Sequence, residues 1–269
     1  DDESENFLGF RTTVDGVAGV TTGAGSVNLT TSGGNLTVVD TALANDISAT
    51  TGIVLSVVPN EGLFTLNSGA NIQTTAGNIS ITADKMDLQG TVTATGQTVT
   101  LTPESSLDVD AIQLGAAATN ATANTLELST AELFNVKTDT LAIGVVTKSG
   151  AITILQPLTS TGGGANLAVN SLRLFSNSSV SQSGTGSIAV TNLEVIAGTG
   201  ISLSSNPNDV TTVALETATG GITYRDLNAF TVGDFTASNP SSPTTVTGPP
   251  PSLRGTAIPG FFGVHPWPG

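Results

Sequence analysis

Gly77–Pro103 reads GNISITADKMDLQGTVTATGQTVTLTP and contains one short phrase twice. Ile79 and Ile81 alternate with Ser80 and Thr82, and Val99 and Leu101 alternate with Thr98, Thr100 and Thr102. Alternation with period two places one set of side chains inward and the other outward, the mark of a half-buried strand. Met86, Leu88, Val92 and Ala94 fall between the two phrases, with Gly90 and Gly96 at the breaks. A circuit of roughly 20 residues with about three short strands predicts one coil of a parallel β-solenoid.

Working outward, the same phrase recurs from Val14 to about Phe235. Before the opening stretch lie Val27 and Leu29, Leu36 and Val38, and Phe64 and Leu66. After it come Leu107 and Val109, Ile112 and Leu114, Leu126 and Leu128, Leu141 and Ile143, and Ile152 and Ile154. Ala116–Asn124 is small and polar and reads as a loop. Ser129–Phe134 tolerates a helix, but one too short to shape the fold. Asn166–Phe175 aligns with Ser187–Ile196, matching Leu167 with Ile188, Val169 with Val190, Leu172 with Leu193 and Leu174 with Val195. This register brings Arg173 beside Glu194 on the outer face, an exposed pair contributing at most about 1 kcal/mol. Ile201 and Ile222, and Leu203 and Tyr224, repeat the spacing. Roughly 11 coils at about 4.8 Å each predict a rod about 50 Å long.

The predicted fold class is therefore all-β: a single-stranded parallel β-helix of roughly 20–21 residues per coil. It spans residues 14–236, with an acidic segment at 1–13 and a proline-rich, non-solenoid tail at 237–269. That tail holds 8 of the 12 prolines, and proline cannot donate to a ladder. It is expected to be ordered and to dock on its own solenoid or on a neighbour. Phe7 and Phe10 near one terminus, and Phe261, Phe262, His265 and Trp267 near the other, are the candidate subunit contacts. His265 reads as a packing residue rather than a ligand.

Composition narrows the function. Seven Lys and Arg against 21 Asp and Glu give a formal charge of −14, which argues against nucleic acid and anionic membrane surfaces as partners. Cysteine is absent, so neither disulfides nor thiolate metal sites are possible. No stretch is apolar enough for a membrane-spanning helix, and membrane insertion is not expected. The acidic start at Asp1 fits a processed end or an arbitrary boundary. Asp108 and Asp110 form the best acid pair, which alternation would set side by side outside; solvated charge is the plainer reading. Asp84 and Asp87 could offer oxygens to calcium, without a glycine-rich calcium repeat around them. No phosphate loop, nucleophile elbow or zinc motif occurs, so no catalytic, cofactor or metal residue is assigned. Asn-X-Ser/Thr sequons stand at Asn28, Asn35, Asn78, Asn120 and Asn177.

The opening stretch, with Leu126–Ser160 and Asn208–Phe235, resembles the repeats of filamentous-haemagglutinin-like bacterial exoproteins. The resemblance covers roughly residues 20–236. It implies a right-handed β-helix, export across a Gram-negative envelope, and an extracellular or surface role in adhesion, matrix building or contact-dependent competition. The family's secretion domain carries Asn-Pro-Asn early, whereas here Asn206-Pro207-Asn208 comes late and reads as a turn. The function expected first is a non-enzymatic structural subunit that polymerises head to tail through its terminal segments. An adhesin stalk binding glycans or cell surfaces is the alternative, to be marked by an aromatic flank from Phe134, Phe175, Tyr224 and Phe230. A polysaccharide-cleaving enzyme ranks third, because seven basic residues supply few partners for clustered acids.

Overall fold

The computed structural model describes residues 19–41, 45–104, 109–117, 119–160 and 166–233. Phe7, Phe10, Phe261, Phe262, His265, Trp267 and Asp108 lie outside them, as do the acidic segment and the proline-rich tail. The described chain is nearly all β. In the first circuit, β1 (Val20–Thr21), β2 (Ser26–Thr31) and β3 (Leu36–Val38) follow one another. The second holds β4 (Ile47–Ala49), β5 (Gly52–Val57) and β6 (Leu63–Leu66), and the third β7 (Asn71–Thr74), β8 (Asn78–Thr82) and β9 (Lys85–Leu88). The fourth begins with the long β10 (Thr91–Thr102), then β11 (Ala111–Leu114), β12 (Thr125–Leu128) and helix α1 (Thr130–Phe134). Beyond it lie β13 (Val136–Gly144), β14 (Ile152–Ile154), β15 (Leu158–Thr159), β16 (Ser171–Ser176), β17 (Ser179–Gln182) and β18 (Ile188–Ala189). The last are β19 (Asn192–Ala197), β20 (Gly200–Asn208), β21 (Thr212–Thr217), β22 (Ile222–Asp226) and β23 (Thr231–Val232).

Apart from β11 and β12, which pair with each other, strands do not pair with their chain neighbours; each pairs in parallel with its counterpart one circuit away. The main sheet runs β1-β4-β7-β10-β13-β16-β19-β21-β23, nine strands deep, with β2, β5 and β8 joining it through β10. Parallel pairing in register stacks like on like. Val27, Ile53, Ile79, Val99, Leu141, Leu172, Leu193, Val213 and Val232 form one continuous column. Leu29, Leu55, Ile81, Leu101, Ile143, Leu174, Val195 and Leu215 form a second. Members in the middle of both columns are fully buried. At full burial each contributes about 1.5–3 kcal/mol, and the column supplies that burial without aromatic residues. Circuits approach closely at their corners: a Cβ on Gly77 would sit 1.9 Å from the Thr51 carbonyl oxygen, so only glycine fits there.

The expected alignment holds at Ile79 with Val99, at Arg173 with Glu194 and at Ile201 with Ile222. It fails in its first half at 166–196, because Ile188 pairs with Leu158 rather than Leu167. The short strand β15 holds the place beside Ile188 that a plain 21-residue repeat would have left to Leu167. The main sheet has nine levels rather than 11 for a related reason: Val92 pairs with Val136, and Thr140 with Ser171. The intervening residues lengthen the circuit without adding a level. Nine levels span about 40 Å.

The largest detour opens a seam. The third face is two separate sheets, β3-β6-β9 and β12-β11-β14-β17-β20-β22. After β11 the chain steps back, so β12 lies on the side away from β14. Among the described residues β12 lies beside β9 without pairing with it, yet the β9 backbone groups are not left open. The Leu88 amide donates to Glu132 Oε1 (3.1 Å), and the Leu88 carbonyl accepts from Asn135 Nδ2 (2.7 Å). The Met86 carbonyl accepts from Asn120 Nδ2 (3.0 Å). The helix expected to be too short to matter is what aims these groups. Ser129 caps it, its Oγ accepting from the Glu132 amide at 3.2 Å while its own amide donates to Glu132 Oε2 at 2.8 Å. This reciprocal pair fixes the Glu132 side chain.

Candidate functional site: the open apolar end

The inward columns must stop somewhere. At the Val232 end, Val213, Leu215, Ile222, Tyr224, Phe230 and Val232 line a shallow hollow. Val232 is the last member of the first column and Leu215 the last of the second. Ile222 and Tyr224 end the columns that run through Ile201 and Leu203. These are core residues by type and by alternation, but no further level covers them among the described residues. Ile222 is 43% exposed, Phe230 41% and Val232 53%, whereas Leu141, Leu172 and Leu193 in the same stack are at 0%. β22 and β23 are also the outermost strands of their sheets, with one edge each unpaired among the described residues.

Aromatic contact and hydrogen bonding hold the hollow in shape. Tyr224 and Phe230 meet edge to face, centroids 5.2 Å apart. The Tyr224 hydroxyl donates to Asp226 Oδ2 at 2.5 Å, and Asp226 also accepts the Val210 amide (3.1 Å) and the Asn228 amide (3.0 Å). Burial pushes the Tyr224 phenol well above its ordinary pKa, and the bond to Asp226 with the charges of Asp226 and Asp209 adds to this. It stays neutral and is no acid–base group at physiological pH. The hollow is thus apolar inside with carboxylates beside it, and it offers surface rather than chemistry.

The other candidates separate. Asp110 is fully buried, not outward as expected. Asp110 is inward in phase with Ile112 and Leu114, and Val109, expected inward, is 56% exposed, so Asp110 cannot form a surface acid pair. Asp84 is also buried and accepts the Glu61 amide (2.7 Å), while Asp87 accepts from Gln89 Nε2 (2.9 Å). Among the described residues no group of three or more potential metal ligands occurs. Arg173 and Glu194 form the expected ion pair, but largely covered instead of exposed, and the guanidinium also lies 5.0 Å over the Phe175 ring. Phe134 packs on the core instead of the surface. Of the four aromatics expected on a flank, only Tyr224 and Phe230 meet, and they do so at the end.

Several polar residues that bear on the fold escaped the sequence reading. Lys85 is buried, bonded to Glu61 Oε2 (2.7 Å) and to the Thr122 carbonyl (2.7 Å). That bond, with the Asn124 amide on the other oxygen (2.7 Å), holds the Glu61 carboxyl below its usual pKa. Burial works to raise the pKa of Glu127, but bonds from Thr122 and Thr119 and from backbone amides outweigh it and lower it. Glu132 is raised, burial outweighing its bonds to Ser129 and Leu88. Asn208 is fully buried and fully engaged. Its Oδ1 accepts from Gln182 Nε2 (2.5 Å) and the Ile188 amide (2.8 Å), and its Nδ2 donates to the carbonyls of Leu203 (3.0 Å) and Arg225 (2.9 Å). Sequons differ likewise: Asn35, Asn78 and Asn120 use their carboxamides on Leu63, Thr98 and Met86, while the Asn177 residue is exposed.

No family model, curated protein or solved structure matches this chain.

Proposed function

We propose that the chain is a structural β-solenoid subunit that assembles end to end, without catalytic activity, in an extracellular or cell-surface filament. The observation that carries this reading is the open end, where, among the described residues, columns of core residues stop uncovered beside unpaired strand edges. Such an edge is a template for another chain. A contact between unlike ends has no symmetry that closes it, so repetition gives a fibre. The return of the chain to the same sheets, and the unbroken columns, support the solenoid description. The resemblance of its repeats to exoprotein repeats supports right-handedness and export. The aromatic flank that would favour an adhesin stalk does not assemble, since Phe134 and Phe175 point to different surroundings.

The test is electron microscopy with sedimentation analysis of the intact chain and of Ile222→Asp/Val232→Asp. Both positions are exposed, so the pair should fold, judged by circular dichroism. Intact protein should form filaments or concentration-dependent oligomers, and the variant single short rods of about 40 Å. Single rods from both at every concentration would refute the reading.

A further inference from the structure

Among the described residues, the open end is short of one level of apolar side chains and one strand. We infer that a neighbouring copy supplies both, through its residues Gly260–His265. This rests on the end-to-end reading and names the element that makes the joint.

Three observations single out this occupant. The first is chemistry. Gly260-Phe261-Phe262-Gly263-Val264-His265 is the proline-free interval between Pro259 and Pro266. Six residues suffice for a strand, and Phe261, Phe262 and Val264 supply side chains of the kind the interrupted columns lack. Added strands gain affinity from main-chain pairing and specificity from filled pockets. The second is charge. In a chain of net charge −14, residues 235–269 contain no Asp or Glu and include Arg254 and His265. The open end lies beside Asp209, Asp226 and Glu216, so a segment without carboxylates meets less repulsion there than most of the molecule would. The third is reach. The intervening residues 234–259 hold six of the 12 prolines, including the run Pro249–Pro251. At about 3.1 Å per residue an extended proline-rich spacer of this length covers on the order of 80 Å, about twice the height of the stack. It leaves from Gly233, at the hollow itself, and would have to double back to refill the same hollow.

The inference is tested with full-length chains by complementation. One variant, Ile222→Asp/Val232→Asp, loses the hollow and keeps the segment. Another, Phe261→Ser/Phe262→Ser, loses the segment and keeps the hollow. Each alone should sediment as a monomer, with association weakened at least tenfold. An equimolar mixture should give a dimer and nothing larger, because only one joint is possible. Trp267 is the only tryptophan, so its emission should shift to the blue in the mixture and not in either variant alone. A peptide of residues 256–269 should compete and dissociate the intact protein. If the segment variant associates as well as the intact chain while the hollow variant does not, the joint has another occupant and this inference fails, with the end-to-end reading intact. If the intact chain stays monomeric with a shielded Trp267 that the hollow variant exposes, the segment fills its own hollow and both fail. If the hollow variant still associates like the intact chain, the open end is not the joint, and both fail again.

Discussion

Asn208 offers the sharpest test of how the stack is held. Its carboxamide answers two donors and two acceptors in a site without water access. Asn208→Leu keeps the volume roughly and removes every bond. The Ile188 amide, the Gln182 amide and the carbonyls of Leu203 and Arg225 each lose a partner. A buried group left without one costs about 1–3 kcal/mol, and partial relaxation brings the total to about 3–5 kcal/mol. That is a large share of the roughly 5–15 kcal/mol that holds a typical domain together. Asn208→Asp tests the direction of the bonds. A carboxylate still accepts from Ile188 and Gln182 but turns lone pairs toward the two carbonyls, so its folded pKa should rise above the ordinary value near 4. The penalty is absent while the group is protonated and grows as pH rises through that folded pKa. Guanidinium unfolding followed by circular dichroism, at pH 4 and pH 7, should show Asn208→Asp closer to the parent at pH 4. Amide exchange at Ile188 should accelerate in both variants. A cost below about 1 kcal/mol for Asn208→Leu, or an equal cost of Asn208→Asp at both pH values, would refute the bonding scheme.

Three further expectations follow from single sites. In a double-mutant cycle, Arg173→Ala and Glu194→Ala should show a coupling above the roughly 0–1 kcal/mol of an exposed pair, because only 15% and 18% of the two side chains are exposed; a coupling within the error of zero would contradict this. Glu132 has a raised pKa, so its ionisation opposes folding, and the advantage of the parent over Glu132→Gln should shrink as pH rises from about 4 to 7. Paired denaturation curves across that range check the sign. Gly77→Ala should destabilise by about 3 kcal/mol, since its Cβ would overlap the Thr51 carbonyl; a melting temperature unchanged from the parent would show that the corner yields.

Alternation and register were legible wherever a circuit keeps its length. Ile79 with Val99, and Leu172 with Leu193, could be aligned because the inward positions admit only a few aliphatic types. The level count was not, because a 20-residue period carried through the detours before Val136 and Ser171 adds levels that do not exist. Asp110 was misplaced because Val109, an apolar residue, sets the wrong inward frame when read by type, whereas the frame of Ile112 and Leu114 extends back to Asp110. Asn208 looked like part of an Asn-Pro-Asn turn, and nothing local marks a side chain whose partners come from three other strands. Two of the six residues lining the open end were in view, since Tyr224 and Phe230 stood out as aromatics. Leu215, Ile222 and Val232 did not, because a last rung carries the same residue types as a middle one. Only its position in the stack makes it a surface.

The seam beside β9 also bears on how the chain folds. On either side of it, bonded partners lie close in sequence, as in the Thr82–Thr102 contact with a separation of 20. Across it, Glu61 meets Asn124 at a separation of 63. Closing longer loops costs more entropy before any contact repays it. The circuits up to Thr102 and those from Val136 onward can therefore form as two cooperative units, in the manner of repeat arrays. The 116–135 segment then joins them as a late step. Hydrogen exchange should reveal this order as two blocks of protected amides separated by an earlier-opening Met86–Leu88 edge.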